Sequence, residues 1–327
     1  MAIHDRNVLL IGGGGYVGSA IAETLDSLGY GVRILDNFIY GQQDLIKPLG
    51  IETVYADMNN TKSVLDNMSG ITDVVILAGL VGNQVIEKNP ILARKTNYEG
   101  VQNIINSLDG LGLDNAIFIS TCSNYGIVDS SEYADESYSL NPLGEYARAK
   151  VEAEELILSK KDRVDYTGSV LRFATAFGGS ARTRLDLLIN EFVYKAVNGE
   201  EITVYDDNTW RPYCHVKDFG RMIDKVLTAE SKQVYFEVFN CGSNDNNYTK
   251  RDVLNAINDQ GYYPEVSIDK NNSDPRDYKV SFEKASNVLQ FNTRYDLIDG
   301  INELIQNFEG STFDQFNTNC RVILDNV

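Results

Sequence analysis

The sequence is poor in histidine and cysteine. It contains two histidines, His4 and His215, and four cysteines that lie far apart without the spacing of a metal site. A histidine-based catalytic triad or a histidine-rich metal centre is therefore not expected, and no metal is predicted. No run of about 18 apolar residues occurs, so no membrane-spanning helix is expected. A basic and then apolar leader is also absent, and we expect a cytoplasmic protein with reduced thiols.

Positive charge is scarce as well. The chain has 29 lysines and arginines against 47 aspartates and glutamates, which gives a formal net charge of −18. Such a surface repels nucleic acids and anionic membranes, so neither is expected as a partner. An anionic ligand would require several arginines gathered at one site. With 327 residues, 43% of them hydrophobic, the chain can bury the core of one large domain or two coupled domains.

Short apolar runs alternate with segments of helical periodicity. Such runs are typical of strands that are buried on both faces of a parallel sheet. The predicted strands are Asn7–Ile11, Val32–Asp36, Thr53–Ala56, Val74–Ala78, Ile117–Ser120, Ser169–Phe173 and Glu237–Asn240. Strand, helix and strand with short connections predict an α/β fold of the Rossmann type with a doubly wound parallel sheet.

The alternation becomes irregular after about residue 178. Residues 1–178, together with about 216–244, are assigned to the first domain, and residues 179–215 and 245–327 to a smaller second domain. The stretch SNDNNYT (243–249) is rich in turn-forming residues and is predicted to be a surface turn.

The first strand runs into a glycine-rich loop, in which the glycines at 12, 15 and 18 form the pattern GxxGxxG. Glycine here permits a tight turn, lets backbone N–H groups approach a pyrophosphate, and allows close packing of helix on strand. The second strand ends in Asp36, whose carboxylate would accept hydrogen bonds from the adenosine ribose and repel a 2′-phosphate. The pattern indicates dinucleotide binding and favours NAD over NADP. Asp57 is interpreted either as an adenine contact or as a helix N-cap.

The segment NPLGEYARAKVEAEELI (141–157) is predicted to be a helix with asparagine as its cap and proline in its first turn. Tyr146 and Lys150 lie four residues apart on one face of it. A phenol titrates near pH ~10, but a neighbouring ammonium and a positive nicotinamide ring would lower its pKa toward that of a usable base. The alternative is a surface pair. The glycine loop and the stretch STCSNYG (120–126) after a neighbouring strand favour a catalytic pair.

These features together resemble the extended short-chain dehydrogenase/reductases, specifically the NDP-sugar epimerase/dehydratase family. The resemblance covers nearly the whole chain. The matching stretches are IGGGGYVGSAIAETL, ILDNF, YADM, LAGLVG, TNYEGVQNII, STCSNYG, YARAK, LRFATAFG, WRPYCHVKDFGRM, FNCGSNDNNYT and DPRDYKVSFEKASNVLQF. The resemblance implies that the first domain binds NAD and that the second binds a nucleotide sugar.

The resemblance also implies roles for individual residues. Thr121 would hydrogen-bond the sugar oxygen that is oxidised, Tyr146 would be the acid/base, and Lys150 would hold the nicotinamide ribose and tune Tyr146. The implied NAD contacts are Gly12, Gly15, Tyr16, Val17, Gly18, Asp36, Asn37, Asp57, Met58, Leu77, Ala78, Gly79, Asn97, Tyr146, Lys150 and Phe173. The implied substrate contacts are Val81, Thr121, Cys122, Ser123, Thr175, Asn190, Arg211 and Arg276.

Arginines carry the expected recognition of the diphosphate, because their planar fork matches phosphate oxygens. Arg211 and Arg276 match family positions that contact the diphosphate or its ribose. Arg182 and Arg184 are interpreted either as ligand contacts or as solvated surface residues. His215 resembles a structural residue of the family and is assigned no catalytic role.

The two residues after Thr121 bear on the reaction. In the dTDP-glucose 4,6-dehydratases these are Asp and Glu, which eliminate water, whereas this chain has Cys122 and Ser123. Cys122 is interpreted either as an acid/base for 3,5-epimerisation or as a small buried hydrophobe. The resemblance favours an NAD-dependent epimerase, most often acting at C4, that oxidises the sugar and returns the hydride to the other face. The alternatives are an NAD-linked C4 dehydrogenase/reductase, less readily a 4,6-dehydratase, and a non-catalytic NAD-sensing scaffold.

Members of the family commonly form homodimers through a four-helix bundle. The helices involved correspond to residues Asn97–Leu108 and to the Tyr146 helix. VQNIINSL and VEAEELIL both carry apolar faces wide enough for such a bundle, although the same faces could equally pack inward. A homodimer is predicted.

Overall fold

The computed structural model describes residues 5–129, 131–269 and 276–309. Twelve strands occur in this part of the chain. They are β1 (Asn7–Ile11), β2 (Gly31–Asp36), β3 (Glu52–Tyr55), β4 (Asp73–Ile76), β5 (Asn115–Thr121), β6 (Thr167–Phe173), β7 (Thr175–Phe177), β8 (Ile202–Val204), β9 (Trp210–His215), β10 (Glu237–Cys241), β11 (Asn247–Thr249) and β12 (Val266–Ile268).

The helices of the described residues are mostly short. They are α1 (Tyr16–Ser27), α2 (Gln43–Ile46), α3 (Thr61–Leu65), α4 (Asn83–Lys88), α5 (Pro90–Arg94), α6 (Val101–Ser107), α7 (Glu145–Leu158), α8 (Leu188–Val197), α9 (Val216–Thr228), α10 (Ser231–Val234), α11 (Lys250–Asp259), α12 (Glu283–Leu289) and α13 (Leu297–Phe308). A π-helical turn (Lys95–Gly100) precedes α6. No helix in the described ranges is long and apolar enough to cross a membrane.

Seven parallel strands form the main sheet in the order β3-β2-β1-β4-β5-β6-β10. All seven strands predicted from the sequence belong to it, and their ends agree within two residues. The direction of winding reverses between β1 and β4, which are neighbours in register. In an open sheet of this type, a ligand cleft forms at the carboxyl ends of the strands at this reversal. The predicted doubly wound α/β fold is confirmed.

Both faces of the sheet are covered by helices. Leu10 lies in one core cluster with Leu25 of α1 and Phe219 of α9. Leu9, the preceding residue, points to the opposite face and packs in a second cluster with Ile157 of α7. Alternation along the strand therefore divides the apolar run between two cores, as expected for a strand buried on both faces.

A third core cluster lies outside the main sheet. Its residues come from α8, α11 and α13 together with strands β7, β8 and β9. Strands β7, β9 and β11 form a small sheet, and β8 pairs with β12. The predicted division into two domains remains a prediction. Its last residues, 310–327, lie outside the described residues.

Two local predictions were wrong. The catalytic helix begins at Glu145 with Gly144 as its extended N-cap, not at residue 141. Asn141 precedes a proline, which disfavours helical backbone, and its N–H donates to the carbonyl oxygen of Asn124. Residues 243–249 are not a surface turn either, because they form a 3₁₀ turn and strand β11, where Asn246 and Asn247 are buried.

Candidate active site

A cleft of about 820 Å³ opens at the carboxyl ends of β1 and β4. Most of the predicted site residues line it: Gly12, Gly15, Tyr16, Val17, Gly18, Asp36, Asn37, Met58, Leu77, Ala78, Gly79, Val81, Thr121, Ser123, Tyr146, Lys150, Phe173, Thr175 and Arg276. Five others do not line it: Asp57, Asn97, Cys122, Asn190 and Arg211. The cleft thus joins the glycine loop and the Tyr146–Lys150 pair in one site.

The glycine loop forms a cradle without side chains. Gly12 has φ +89°, and a Cβ there would lie 2.6 Å from Cα of Ala78. A Cβ on Gly18 would lie 2.5 Å from the carbonyl oxygen of Gly12. Helix α1 starts directly behind this loop, and its N-cap, Gly15, makes no side-chain hydrogen bond. The backbone N–H groups of the first turn therefore remain directed at the cleft, which fits the pyrophosphate of a dinucleotide.

Asp36 is fixed at the end of β2 beside this cradle. Its Oδ2 accepts a hydrogen bond from the Gly14 N–H at 3.0 Å, and its Oδ1 accepts one from the Phe38 N–H at 2.7 Å. Burial raises the pKa of Asp36, and these two hydrogen bonds lower it. The geometry fits the predicted contact with an adenosine ribose. Asp57 accepts from the Asn59 N–H at 2.9 Å, but the cap of α3 is Asn60, so the N-cap interpretation of Asp57 was wrong.

The three predicted catalytic residues meet at the cleft from two elements. Thr121 ends β5, where its Oγ1 accepts a hydrogen bond from the Ser123 N–H at 3.1 Å. Its hydroxyl proton is therefore available to a group in the cleft. Tyr146 and Lys150 come from α7, and the Lys150 Nζ lies 5.7 Å from the centroid of the Tyr146 ring. This arrangement places a hydroxyl, a phenol and an ammonium around one space.

Burial shifts the pKa values of both members of the pair. Desolvation raises the pKa of Tyr146 to about 12, although Arg184 lowers it. Burial lowers the pKa of Lys150 to about 8, while Glu154 raises it. The Lys150 Nζ donates to the carbonyl oxygen of Ile119 at 2.7 Å and so is held along the strand. The phenol of Tyr146 is therefore protonated at neutral pH.

A buried network stands behind the catalytic residues. Glu154 follows Lys150 by one turn of α7 and is almost fully buried. Its carboxylate accepts hydrogen bonds from Ser120, from Asn124 Nδ2 at 2.8 Å, and from Arg172 Nη2 at 2.7 Å. Because Ser120 precedes Thr121 on β5, the network ties the helix of Tyr146 and Lys150 to the strand of Thr121. Nothing in our sequence analysis pointed to this carboxylate.

Cys122 does not face the cleft. It is 1% exposed, its Sγ donates to the carbonyl oxygen of Arg172 at 3.3 Å, and burial raises its pKa well above the usual value. A thiol so buried is inert, so the interpretation as a packed hydrophobe is the one that the geometry supports. Its predicted contact with substrate is contradicted by this placement. Ser123, by contrast, lies at the cleft with its Oγ 3.3 Å from the Tyr278 hydroxyl.

Two asparagines predicted as ligand contacts act within the fold. The Asn97 side chain accepts from the Leu80 N–H at 2.7 Å and donates to the Leu80 carbonyl oxygen at 2.8 Å. It thereby holds the loop after β4. Asn190 is fully buried and accepts from the Gly178 N–H at 3.1 Å, while its Nδ2 donates to the Tyr16 hydroxyl at 3.1 Å. Both amides are engaged by the chain, which assigns them to positioning rather than to direct contact.

The arginines are distributed differently from the prediction. Arg182 and Arg184 line the cleft, so the solvated-surface interpretation of both was wrong. Arg184 pairs with Asp186 through its Nε at 2.9 Å. Arg211 is buried, donates to the Trp210 carbonyl oxygen at 2.7 Å and lies off the cleft. Arg276 is thus the member of the predicted pair that reaches the cleft.

Several residues that line the cleft were missed by the sequence analysis. They are Tyr40, Gln42, Leu80, Gly82, Leu143, Asp186, Leu187 and Tyr205. Asp186 follows the two arginines of ARTRLD, and an acid at that spacing could have signalled a fixed arginine. The tyrosines and leucines lie in connecting loops and carry no pattern that indicates a ligand.

The chain is similar in sequence and fold to known proteins. The family model described as the NAD dependent epimerase/dehydratase family matches residues 8–242. A UDP-glucose 4-epimerase from Rhizobium leguminosarum bv. trifolii is 23% identical in an alignment of 311 residues that covers 89% of this chain and 94% of the relative. A solved UDP-glucose 4-epimerase from Thermus thermophilus, in complex with NAD, is 23% identical with a TM-score of 0.81 over 94% of this chain and 100% of that one. MoeE5 in complex with UDP-glucuronic acid and NAD has a TM-score of 0.82 at 23% identity, over 94% of this chain and 100% of that one.

Proposed function

Because this chain belongs to the NAD dependent epimerase/dehydratase family of enzymes, we propose that it is an epimerase that inverts C4 of a nucleotide sugar. The observation that carries the proposal is that Thr121, Tyr146 and Lys150 line the same cleft as the glycine cradle. Curated relatives are named UDP-glucose 4-epimerases, which supports a UDP-hexose as substrate.

In the proposed reaction Tyr146 exchanges a proton with the C4 oxygen of the sugar. The Thr121 hydroxyl donates a hydrogen bond to the same oxygen and so holds it near the phenol. Bound NAD would supply the acceptor and donor of the hydride. Since desolvation keeps the pKa of Tyr146 near 12, its phenolate requires positive charge nearby. Lys150 and Arg184 are the cations of this chain that flank it.

The placement of the carboxylates that line the cleft argues against a dehydration reaction. Elimination of water needs an acid beside the leaving hydroxyl, and the residues at 122 and 123 are cysteine and serine. Among the described residues that line the cleft, the carboxylates are Asp36 and Asp186. Asp36 is held by two backbone N–H groups next to the glycine cradle, and Asp186 is paired with Arg184. Neither is placed as an acid for a sugar hydroxyl.

The proposal is tested by incubating the purified chain with a panel of UDP-, GDP-, CDP- and dTDP-sugars in D₂O, followed by NMR. We expect a change of configuration at C4 without deuterium in the product, because the hydride returns from within the site. Deuterium at C3 or C5, or loss of a hydroxyl, would contradict it. Tyr146→Phe is the matched control and should lower kcat by about 10²–10⁴ while leaving NAD bound. Stoichiometric NADH release by the wild-type chain would instead indicate the C4 dehydrogenase/reductase.

We also propose a homodimer in a reducing, cytoplasmic setting. The apolar residues Ile104 of α6 and Ile157 of α7 lie in the core of the chain itself, so they lend no support to a four-helix bundle. The proposal of a homodimer therefore rests on the family resemblance, and a monomer by light scattering would refute it.

The proposal of a reducing setting is supported by the free thiols of Cys122, Cys214 and Cys241, all of which are buried.

A further inference from the structure

Arg182 is a buried cation at the wall of the cleft. Its residue exposure is 4%, and its Nη2 has no hydrogen-bond partner within the described part of the chain. Burying a guanidinium without satisfying its donors is costly unless an anion compensates it. We propose that Arg182, stacked on Tyr40, binds the pyrophosphate of the dinucleotide and thereby retains the cofactor between turnovers. The inference deepens the proposed function, since an epimerase must keep the cofactor that it regenerates.

Arg182 remains charged despite its burial. Desolvation lowers its pKa to about 10, and Tyr40 and Asp36 act in the opposite direction. The side chain is therefore a cation at neutral pH. Its guanidinium carbon lies 4.0 Å from the centroid of the Tyr40 ring, which fixes the plane of the fork. A fork held in this way suits the bidentate recognition of phosphate oxygens.

The acids nearest to Arg182 are already occupied by other partners. Asp36 accepts hydrogen bonds from the backbone N–H groups of Gly14 and Phe38. Asp186 is bound by Arg184. Both carboxylates act on Arg182 electrostatically, but neither supplies a hydrogen-bond partner to its Nη2. The missing counter-ion is therefore expected to come from the ligand.

The position of Arg182 indicates which anion in the cleft is its partner, namely the pyrophosphate of the dinucleotide. Its segment is tied to the first turn of α1, because the Tyr16 hydroxyl donates to the Gly178 carbonyl oxygen at 2.7 Å. On its other side Arg182 lies over Tyr40, which follows Asp36 at the end of β2. The guanidinium is thus close enough to Asp36 to interact with it electrostatically, and the segment that carries it is tied to the first turn of α1. This is the site at which the pyrophosphate of a dinucleotide binds in a fold of this kind.

The turn that carries Arg182 is internally braced. The Arg182 N–H donates to the Ser180 Oγ at 3.1 Å, and the Thr183 hydroxyl donates to the Ser180 carbonyl oxygen at 2.9 Å. The Gly179 N–H donates to Glu303 of α13 at 2.8 Å. The segment therefore presents the guanidinium in a prepared position, which reduces the entropy that binding would otherwise cost.

The test measures cofactor retention and ligand affinity, not turnover. Arg182→Met removes the charge at similar length, and Arg182→Lys keeps the charge but loses the fork. Arg163→Met is the matched control, because Arg163 is exposed and lies off the cleft. For each variant we would measure the NAD that remains bound after purification and the dissociation constants of NAD, ADP-ribose, adenosine and UDP.

We expect Arg182→Met to raise the dissociation constants of NAD and ADP-ribose by roughly 10- to 100-fold, the range for a hydrogen-bonded contact to a charged group. Adenosine, which has no pyrophosphate, should bind the variant as it binds the wild type. The dissociation constants of Arg182→Lys should lie between those of the wild type and those of Arg182→Met, and the control Arg163→Met should retain NAD. Melting curves without ligand should show Arg182→Met at least as stable as the wild type, because a buried uncompensated charge is removed.

Unchanged affinity for NAD and ADP-ribose would overturn the inference, and so would a loss confined to UDP, which would assign Arg182 to the nucleotide sugar. An equal loss for adenosine would also overturn it, because the contact would then be to the nucleoside. If the NMR assay shows no epimerase activity but these affinities change as expected, the proposed function fails and the inference on Arg182 stands.

Discussion

Removing the Glu154 carboxylate should damage stability and catalysis together. Glu154 is 2% exposed and accepts hydrogen bonds from three side chains, Ser120, Asn124 and Arg172. Breaking a buried ion pair by deleting one partner costs about 3–5 kcal/mol, because the other charge is left uncompensated. For a chain of 327 residues that corresponds to a fall in Tm of about 4–7 °C. Because the network joins the strand of Thr121 to α7, Glu154→Ala should also lower kcat more than it changes KM.

Two variants make this reasoning falsifiable. Glu155→Ala removes an exposed glutamate of the same helix and should leave Tm and kcat near the wild-type values. The double variant Glu154→Met with Arg172→Met removes both buried charges and should regain most of the stability. It should not regain kcat, since the hydrogen bonds to Ser120 and Asn124 are still missing. A double variant with normal kcat would refute the positioning role, and a Glu154→Ala protein as stable as the wild type would refute the energetic argument.

Three further predictions concern the glycine loop and two ionisable groups. Gly12→Ala should abolish the retention of NAD and lower Tm, because the added Cβ would lie 2.6 Å from backbone atoms of Ala78. Gly41→Ala is the control, because Gly41 also has a positive φ but open space around it. It should cost only about 1–2 kcal/mol of stability and should keep NAD bound. Turnover should fall as pH rises above about 8, where Lys150 loses its charge, and a profile that is flat to pH 10 would contradict this. Partial burial raises the pKa of Glu303, but hydrogen bonds from His215, a lysine and a backbone N–H lower it to about 2. Since the pKa of Glu303 in the folded chain lies below its unfolded value, its ionised form stabilises the fold by about 2 kcal/mol above pH 4.5, and this stabilisation is lost as pH falls toward 2. The free energy of unfolding in urea should therefore fall less between pH 4.5 and pH 2 for Glu303→Gln than for the wild type.

Much of the fold and the cofactor cradle was predictable because their signals are local. Each strand of the main sheet is one short apolar run, and its ends could be placed within two residues. Gly12 and Gly18 lie six positions apart in a single turn between β1 and α1, and a Cβ on Gly18 would meet the carbonyl oxygen of Gly12 within that turn. Tyr146 and Lys150 share a helical face through their spacing alone. These interactions join residues that are close in sequence, so the sequence pattern is enough to predict them.

The failures concern side chains whose partners are distant in sequence. Asn190 and Tyr16 are 174 positions apart, and only their hydrogen bond reveals that Asn190 braces the cleft instead of facing it. Cys122 follows Thr121 directly, yet it turns behind β5 and packs in the core. The start of the catalytic helix was misplaced for a related reason, because Asn141 hydrogen-bonds to the loop after β5.

The sequence by itself determined the order of the strands and helices, the glycine cradle with Asp36, and the tyrosine–lysine pair, because spacing along the chain sets backbone periodicity and close approach. Only the tertiary structure decided which charged and polar side chains face the cleft. Arg182 and Arg184 line it while Arg211 does not, and Glu154 links the catalytic elements through hydrogen bonds. The physical reason is that burial and long-range hydrogen bonds arise from packing between segments far apart in the chain, and no local pattern records where a side chain points once those segments meet.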